Sequence, residues 1–310
     1  MSDLTAVTTA EAPGPAPTRP RRGGSAGRSL AGDAWLDLRS STIFWVATAL
    51  VAVILLMAVW PSLFTSADPR DCVLAHKNAG AANGAPFGYD FQGCNVYAKT
   101  IYGARNSLIV GLFATLIAGV IGLLFGLAAG YYGGWLDAVL SRFIDVMLGV
   151  PFLLAAIVLA KRFSANPDDN GILAVTLTLG LLGWTTSARV MRSAVISAKG
   201  QDYVAAARML GAGPGRQMFR HILPNSIGPF LVVLTILLGI NIASESTLSF
   251  LGVGLKGDAI SWGIAIAEAG PYIRTTAAPL VWPSIFLAVT VLAFIMLGDA
   301  IRDAFDPKLR

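Results

Sequence analysis

The sequence predicts an all-helical integral membrane protein with six transmembrane helices, and three observations predict it. Of its 310 residues, 55% are hydrophobic and only 13% charged, with a mean hydropathy of +0.65, well to the apolar side of soluble domains. Six segments approach the roughly 20 apolar residues that cross the hydrocarbon core: Thr42 to Trp60, Ser107 to Gly130, Phe143 to Ala160, Gly171 to Ala188, Ser226 to Ala243 and Leu280 to Gly298. The basic residues are unevenly shared between the two sides those segments define. With the N-terminus inside, the inner segments hold 15 of the 23 Lys and Arg, so the positive-inside rule makes both termini cytoplasmic. The net charge of +5 follows from this bias toward anionic headgroups and calls for no nucleic-acid partner.

Residues 1–40 read as a disordered cytoplasmic tail, because their Pro, Ala, Gly and Arg content buries too little apolar surface to offset the entropy of ordering. A Gly-x-Ser-x-Gly string at residues 23–27 lies in this tail without the strand and helix that would present a nucleophile. Trp35, Leu36 and Leu38, set among Asp33, Asp37 and Arg39, suggest either an interfacial elbow or a simple extension of the first span. The first transmembrane helix occupies 41–63, and an extracytoplasmic loop follows over 64–104. That loop holds both cysteines, Cys72 and Cys94. In an oxidising compartment a disulfide would tie the base of the insert between them, and two free thiols are the alternative. No His or Cys cluster supports a metal site there.

The transmembrane domain proper runs over 105–303, with the C-terminus at 304–310 on the cytoplasmic side. In the second span Gly122, Gly126 and Gly130 recur at four-residue spacing. Small residues let helix backbones approach in lipid, so this face packs either within the chain's own bundle or against a second membrane subunit. Gly149-Val150-Pro151 interrupts the third span and should kink it. Arg142 and Asp145 sit three residues apart on that helix and are expected to pair, whereas Arg189 and Arg192 at the inner end of the fourth span are expected to anchor to headgroups or to the following loop.

That loop, 194–224, is a polar, basic interruption between apolar segments and reads as a docking surface. A short helix with Asp202 as its N-cap carries Ala205, Ala206 and Ala207, a face of little bulk that a partner's groove can close around. Gly211 then stops the helix in a left-handed conformation. A second short helix leads to Leu223 and Pro224, where a proline suits the first turn of the next span. Between the fifth and sixth spans, residues 245–273 are too apolar for an ordinary loop and too interrupted for a span, which points to a segment that folds back at the outer surface. Glu245, Ser246 and Glu268 are its candidate translocation-path residues, since ionisable groups at membrane depth usually mark function; the alternative is a solvated rim.

The loop over Asp202 to Asn225 resembles the cytoplasmic "EAA" loop of bacterial ABC importer permeases, in which an A-A-x-x-x-G core is followed about ten residues later by Leu-Pro. Ala206, Ala207, Gly211, Leu223 and Pro224 fill those positions. The chain departs at Ala205, where the family usually carries Glu; with Asp202 as N-cap that Glu would close a capping box. The run from Glu245 to Gly252, the Ser261-Trp262-Gly263 triplet and the segment from Gly298-Asp299 to Asp306-Pro307-Lys308-Leu309-Arg310 are similar to the oligopeptide/dipeptide permease branch, "C" type, over about residues 100 to 310 plus the first span. The resemblance implies a type I importer permease with coupling helices between spans four and five, formed by Asp202, Tyr203, Ala205, Ala206, Ala207, Arg208, Gly211, Ala212, Arg216, Phe219, Arg220, His221, Leu223 and Pro224. It implies a second homologous permease, two ATP-binding cassette ATPases, an extracytoplasmic peptide-binding protein and membrane lipid as partners. ATP and Mg would be held by the ATPases and no cofactor by this chain, which has no Walker A loop and no HExxH zinc site and reads as no enzyme itself.

Two other classes stand against this reading. A nucleotide-independent secondary transporter or channel predicts inverted repeats and a charged midplane site, and the sequence presents neither. A scaffold with no cargo path draws on the lack of polar residues in most spans. Within the resembled class, nickel, glutathione and other small cargos use similar permeases, and selection among them rests largely with the binding protein.

Overall fold

A computed structural model describes residues 30–164 and 169–305. The 1–29 part of the tail, including the Gly-x-Ser-x-Gly string, and residues 306–310 of the C-terminal motif lie outside the described residues. The described chain is all-helical: α1 Leu30–Ser40, α2 Thr42–Val59, α3 Val96–Tyr132, α4 Gly134–Gly149, α5 Phe152–Phe163, α6 Ile172–Lys199, α7 Asp202–Met209, α8 Pro214–Phe250, α9 Trp262–Ala269 and α10 Ala278–Phe305. Four of these, α2, α3, α8 and α10, are long and apolar enough to cross a membrane, or five crossings if the bent pair α4 and α5 counts as one.

Local chemistry sets the breaks. Ser41 interrupts α1 and α2 by capping the latter, its Oγ accepting the Phe44 N–H at 3.3 Å, so residues 30–40 form a separate helix rather than a continuous span. Leu38 packs it onto Ala300 and Ala304 of α10. Asn95 caps α3 by accepting from Ala98 at 3.2 Å, and Gly133, at φ 67°, ends it. The predicted third span is not one helix. At Val150-Pro151 the chain turns through 91°, because the residue before a proline is driven out of the helical region, and Val150 accordingly has ψ 128°. The predicted fourth span continues eleven residues past Ala188 as α6, to Lys199.

The core of the bundle is the α3–α6 seam, with α8 laid across both, α2 and α10 on one flank and α4–α5 on the other. The glycine face of α3 is used within the chain: a Cβ at Gly122 would stand 2.0 Å from Ser187 Oγ, one at Gly126 2.6 Å from the Ala188 carbonyl, and one at Gly130 2.8 Å from Val195. Ser187 Oγ also bonds across the seam to the Ala118 carbonyl at 2.8 Å. Thr176, Thr178, Thr185 and Ser187 of α6 are buried against protein, which helps explain why this central helix reads as less apolar than its neighbours. Two arginines of α6 look toward α4: Arg192 forms a bidentate pair with Asp137 and Arg189 bonds Asp145 at 3.2 Å, a shorter contact than the 3.9 Å from Arg142 to Asp145. The expected Arg142–Asp145 pair is present, but the Arg189 and Arg192 pairings correct the expectation of headgroup or loop anchoring, which could not see that α4 lies alongside α6.

Candidate functional site

At one end of the bundle, residues 199–226 form the candidate docking surface. Val204 and Ala207 point inward, Val204 joining Leu127, Tyr131, Met191, Val195, Ile222 and Phe230 in an apolar cluster. The helix α7 is thus amphipathic, and Asp202, Tyr203, Ala205, Ala206 and Arg208 face outward. Ala207 does not share the exposed face with Ala205 and Ala206, because 3.6 residues per turn carry it round beside Val204. The N-cap is Gln201, in extended backbone, and Asp202 is the first helical residue, where its carboxylate still meets the positive end of the helix dipole. A Glu at 205 would then fall one residue beyond the capping-box position.

The helix ends in a Schellman motif. The Ala212 N–H bonds the Ala207 carbonyl and the Gly211 N–H the Arg208 carbonyl, each at 3.0 Å, with Gly211 at φ 84°, a value that residues with a Cβ resist. Two large apolar side chains missed by the sequence reading stand just before this turn, Met209 at 83% and Leu210 at 89% exposure. The available signal was a pair of bulky apolar residues inside an otherwise polar loop. Arg208, Arg216, Phe219 and Arg220 of the same segment are also exposed, so bulky apolar and basic side chains share its outer surface.

The surface is moored from beneath by a residue the sequence also hides, Gln217, which is 4% exposed. Its Nε2 donates to the Ala212 carbonyl at 2.6 Å and its Oε1 accepts from Tyr131 Oη at 3.1 Å, joining the loop to the end of α3. Lys199 Nζ donates to the Tyr131 carbonyl and lies 5.4 Å from that ring's centre. The predicted second short helix and fifth span are one element. From Pro214 the chain is helical through a π-helical stretch, Gln217–Ile222, into Leu223–Phe250. Pro224 therefore lies inside a helix, where its ring would clash with the carbonyl four residues back. The π turn relieves this by letting the Leu223 N–H reach Met218. Asn225 Nδ2 and Ser226 Oγ bond the carbonyls of His221 and Ile222 at 2.7 and 2.9 Å.

At the opposite end, the Sγ atoms of Cys72 and Cys94 are bonded at 2.00 Å. Two adjoining cavities open beside them, about 260 Å³ and 580 Å³, which share Pro69, Arg70, Asp258 and Ile260. Glu268 lines the smaller and pairs with Lys99 at 3.4 Å, and Lys99 also holds Asp90 at 2.7 Å. Glu245 and Ser246 are not with it. Both are buried, Glu245 completely, among hydroxyls, so neither lines an open path or a solvated rim in this structure, and the three path candidates do not converge.

An all-helical bundle of this topology is the membrane-subunit fold of an ABC importer. It matches a chain of the inward-facing MetNI methionine ABC transporter, CY5 SeMet soak crystal form, with a TM-score of 0.55 at 18% identity over 66% of this chain and 96% of that one. The family model described as "Binding-protein-dependent transport system inner membrane component" matches residues 122–310, and the chain belongs to that family. Among curated relatives, it is 33% identical to the oligopeptide transport system permease protein OppC of Bacillus subtilis (strain 168), over 91% of each chain. It is 32% identical to the dipeptide transport system permease protein DppC of Alkalihalophilus pseudofirmus, over 90% of each.

Proposed function

We propose that this chain is one of two permease subunits of an ATP-driven importer of oligopeptides or dipeptides, multi-pass in the bacterial inner membrane with both termini cytoplasmic. It forms half of the path, with a homologous permease as the other half, two cytoplasmic ATPases and an extracytoplasmic peptide-binding protein. ATP and Mg belong to the ATPases. The observation that carries the reading is the outward face of residues 202–220: exposed Met209 and Leu210 on a segment that also exposes Arg208, Arg216 and Arg220, held to α3 through Gln217 and packed on Met191 and Val195 of α6 through Val204 and Ile222. A surface built this way presents side chains for a partner while passing force into the bundle, and large exposed apolar groups on a polar segment mark interaction sites. Movement of α7 as ATPases close would swing α3 and α6 together, as in a rigid-body switch. The peptide cargo rests on the relatives above.

The test is to tag the chain, extract it gently from its native membrane and identify its companions by mass spectrometry, then reconstitute the recovered complex and measure peptide uptake. An ATPase with a Walker A loop and a second multi-span permease are expected, with uptake dependent on ATP. Recovery of the chain alone, under conditions that hold known complexes together, would overturn the importer reading in favour of a nucleotide-free transporter.

A further inference from the structure

Glu245 is wholly buried, five residues before the end of α8, and its carboxylate is met by serine hydroxyls. Its Oε1 accepts from Ser249 at 2.9 Å and Ser261 at 3.0 Å; its Oε2 accepts from Ser107 at 2.9 Å and Ser246 at 3.3 Å. Three of those serines are themselves acceptors. Ser249 Oγ takes the Leu255 N–H at 3.1 Å, Ser261 Oγ the Ile264 N–H at 3.2 Å and Ser107 Oγ the Trp262 N–H at 3.4 Å. A serine hydroxyl has one proton and two lone pairs. Once a lone pair is occupied by a backbone amide, the proton is left to point at the carboxylate. The order amide, hydroxyl, carboxylate therefore repeats along three separate stretches of chain, and four O–H donors meet the roughly four lone-pair sites of one carboxylate.

From this geometry we infer that Glu245 is a positioning residue. It fixes the re-entrant stretch 251–264 and the start of α9 against α3 and α8, and does so without touching cargo. The packing agrees. A Cβ at Gly254 would stand 2.2 Å from Ser249 Oγ, and one at Gly263 2.6 Å from Ser246 Cα, so the returning chain lies directly on the serine ladder where only glycine fits. The stretch has two further clamps, Trp262 Nε1 to the Thr100 carbonyl and Asn106 Nδ2 to the Ile260 carbonyl, each at 2.8 Å. Loss of the carboxylate should thus loosen the stretch rather than unfold it. What it positions is the wall of the charged cavities: Asp258 and Ile260 line both, Ser261 lines the smaller, and α9 carries Glu268 to Lys99. The role of that wall in uptake rests on the importer reading above; the positioning itself does not.

The experiment is amide hydrogen exchange on the intact complex, comparing wild type with Glu245→Gln, together with ATP-driven peptide uptake. Glutamine keeps the volume but replaces an acceptor oxygen with a donor NH₂, so two hydroxyl protons lose their acceptor. Protection at Leu255, Trp262 and Ile264 is expected to fall about tenfold or more, in line with losing one or two buried hydrogen bonds, while amides of the α3–α6 seam keep theirs. Glu245→Asp should restore a large part of the protection. Ser261→Ala removes one hydroxyl without touching the carboxylate, and its loss should centre on Ile264; it carries the test should Glu245→Gln fail to assemble. Unchanged protection in Glu245→Gln overturns the inference, and unchanged protection with abolished uptake would make Glu245 a cargo or proton site instead. Loosened exchange in Glu245→Gln, where the wild-type complex itself takes up no peptide, leaves the positioning role standing and removes the importer reading.

Discussion

Gly211 and Gly213 offer a controlled comparison within the docking loop. A Cβ at either would meet nothing within 4 Å, so an alanine at each adds the same methyl group to open space. The backbone differs: Gly211 has φ 84° and Gly213 has φ −67°. An L-residue in the left-handed region costs about 1–2 kcal/mol, whereas φ −67° is ordinary for alanine. A cost of that size lowers the population of the Schellman turn roughly 5- to 30-fold relative to its competitors and frees the Ala207 and Arg208 carbonyls that the turn satisfies. It is too small to dislodge a bundle held by the α3–α6 seam. Gly211→Ala, and more so Gly211→Leu, should therefore leave the protein in the membrane, keep ATP hydrolysis by the docked complex, and lower peptide taken up per ATP. Gly211→Asn should fall between them and wild type, since asparagine tolerates this region. Gly213→Ala should match wild type. The assay is uptake and phosphate release measured together in proteoliposomes. Normal coupling in Gly211→Leu, or equal damage from Gly213→Ala, would refute the claim that this turn's handedness presents the coupling surface.

Three further outcomes follow from the packing. Gly126→Leu should lower the melting temperature of the purified complex in detergent, because its Cβ alone stands 2.6 Å from the Ala188 carbonyl and overpacking of this kind costs about 1–3 kcal/mol; Gly149→Ala, with open space around it, should not. The Cys72 and Cys94 peptides should appear linked by mass spectrometry of the non-reduced protein, and finding both as free thiols would contradict the bond seen between their Sγ atoms. Asp137→Ala and Arg192→Ala should each loosen the contact between α4 and α6, and a double-mutant cycle on melting should give a coupling of about 1 kcal/mol or less, as for partly exposed pairs.

The parts of the fold that the sequence discloses are those written in single-residue chemistry. Apolar runs mark the helices at Thr42–Val59 and Ala278–Phe305, four-residue glycine spacing marks the close face of α3, and Gly211 marks a left-handed turn. What stayed hidden depends on pairs distant in the chain. Hydropathy makes Glu245 a path residue or a solvated rim residue because it cannot see that Ser107, 138 residues away, and Ser261 converge on it. It gives Arg189 and Arg192 to headgroups or the following loop because it cannot see that Asp145 and Asp137, 44 and 55 positions earlier on α4, lie against α6. Gln217 reads as one more polar loop residue until Tyr131, 86 positions earlier, is seen beneath it. The extent of α8 was obscured for a different reason. A proline at the head of an apolar run is the usual sign of a helix start, and only the π-helical widening before Pro224 lets the helix continue through it.

That continuity changes how force would travel. A joint at Leu223-Pro224 would let the loop tilt while the following helix stayed still. One helix of 37 residues, Pro214–Phe250, spans about 55 Å at 1.5 Å per residue, so a displacement near Phe219 and Arg220 reaches the far end of the same rod. The compliant points on it are the π-helical stretch and Pro229, both in the half nearer the loop, where intrahelical bonds are missing or lengthened. Beyond Pro229 the rod is regular up to Glu245 and its serines, which fix it to α3 and to the returning chain. The near half of α8 is thus built to bend and the far half to stay attached. The loop and the charged cavities therefore sit near the two ends of one element whose far end is held to α3 and to the returning chain, and under the proposed importer reading a displacement of the loop would be taken up in part at the π-helical stretch and Pro229 and passed in part along the helix toward that hold.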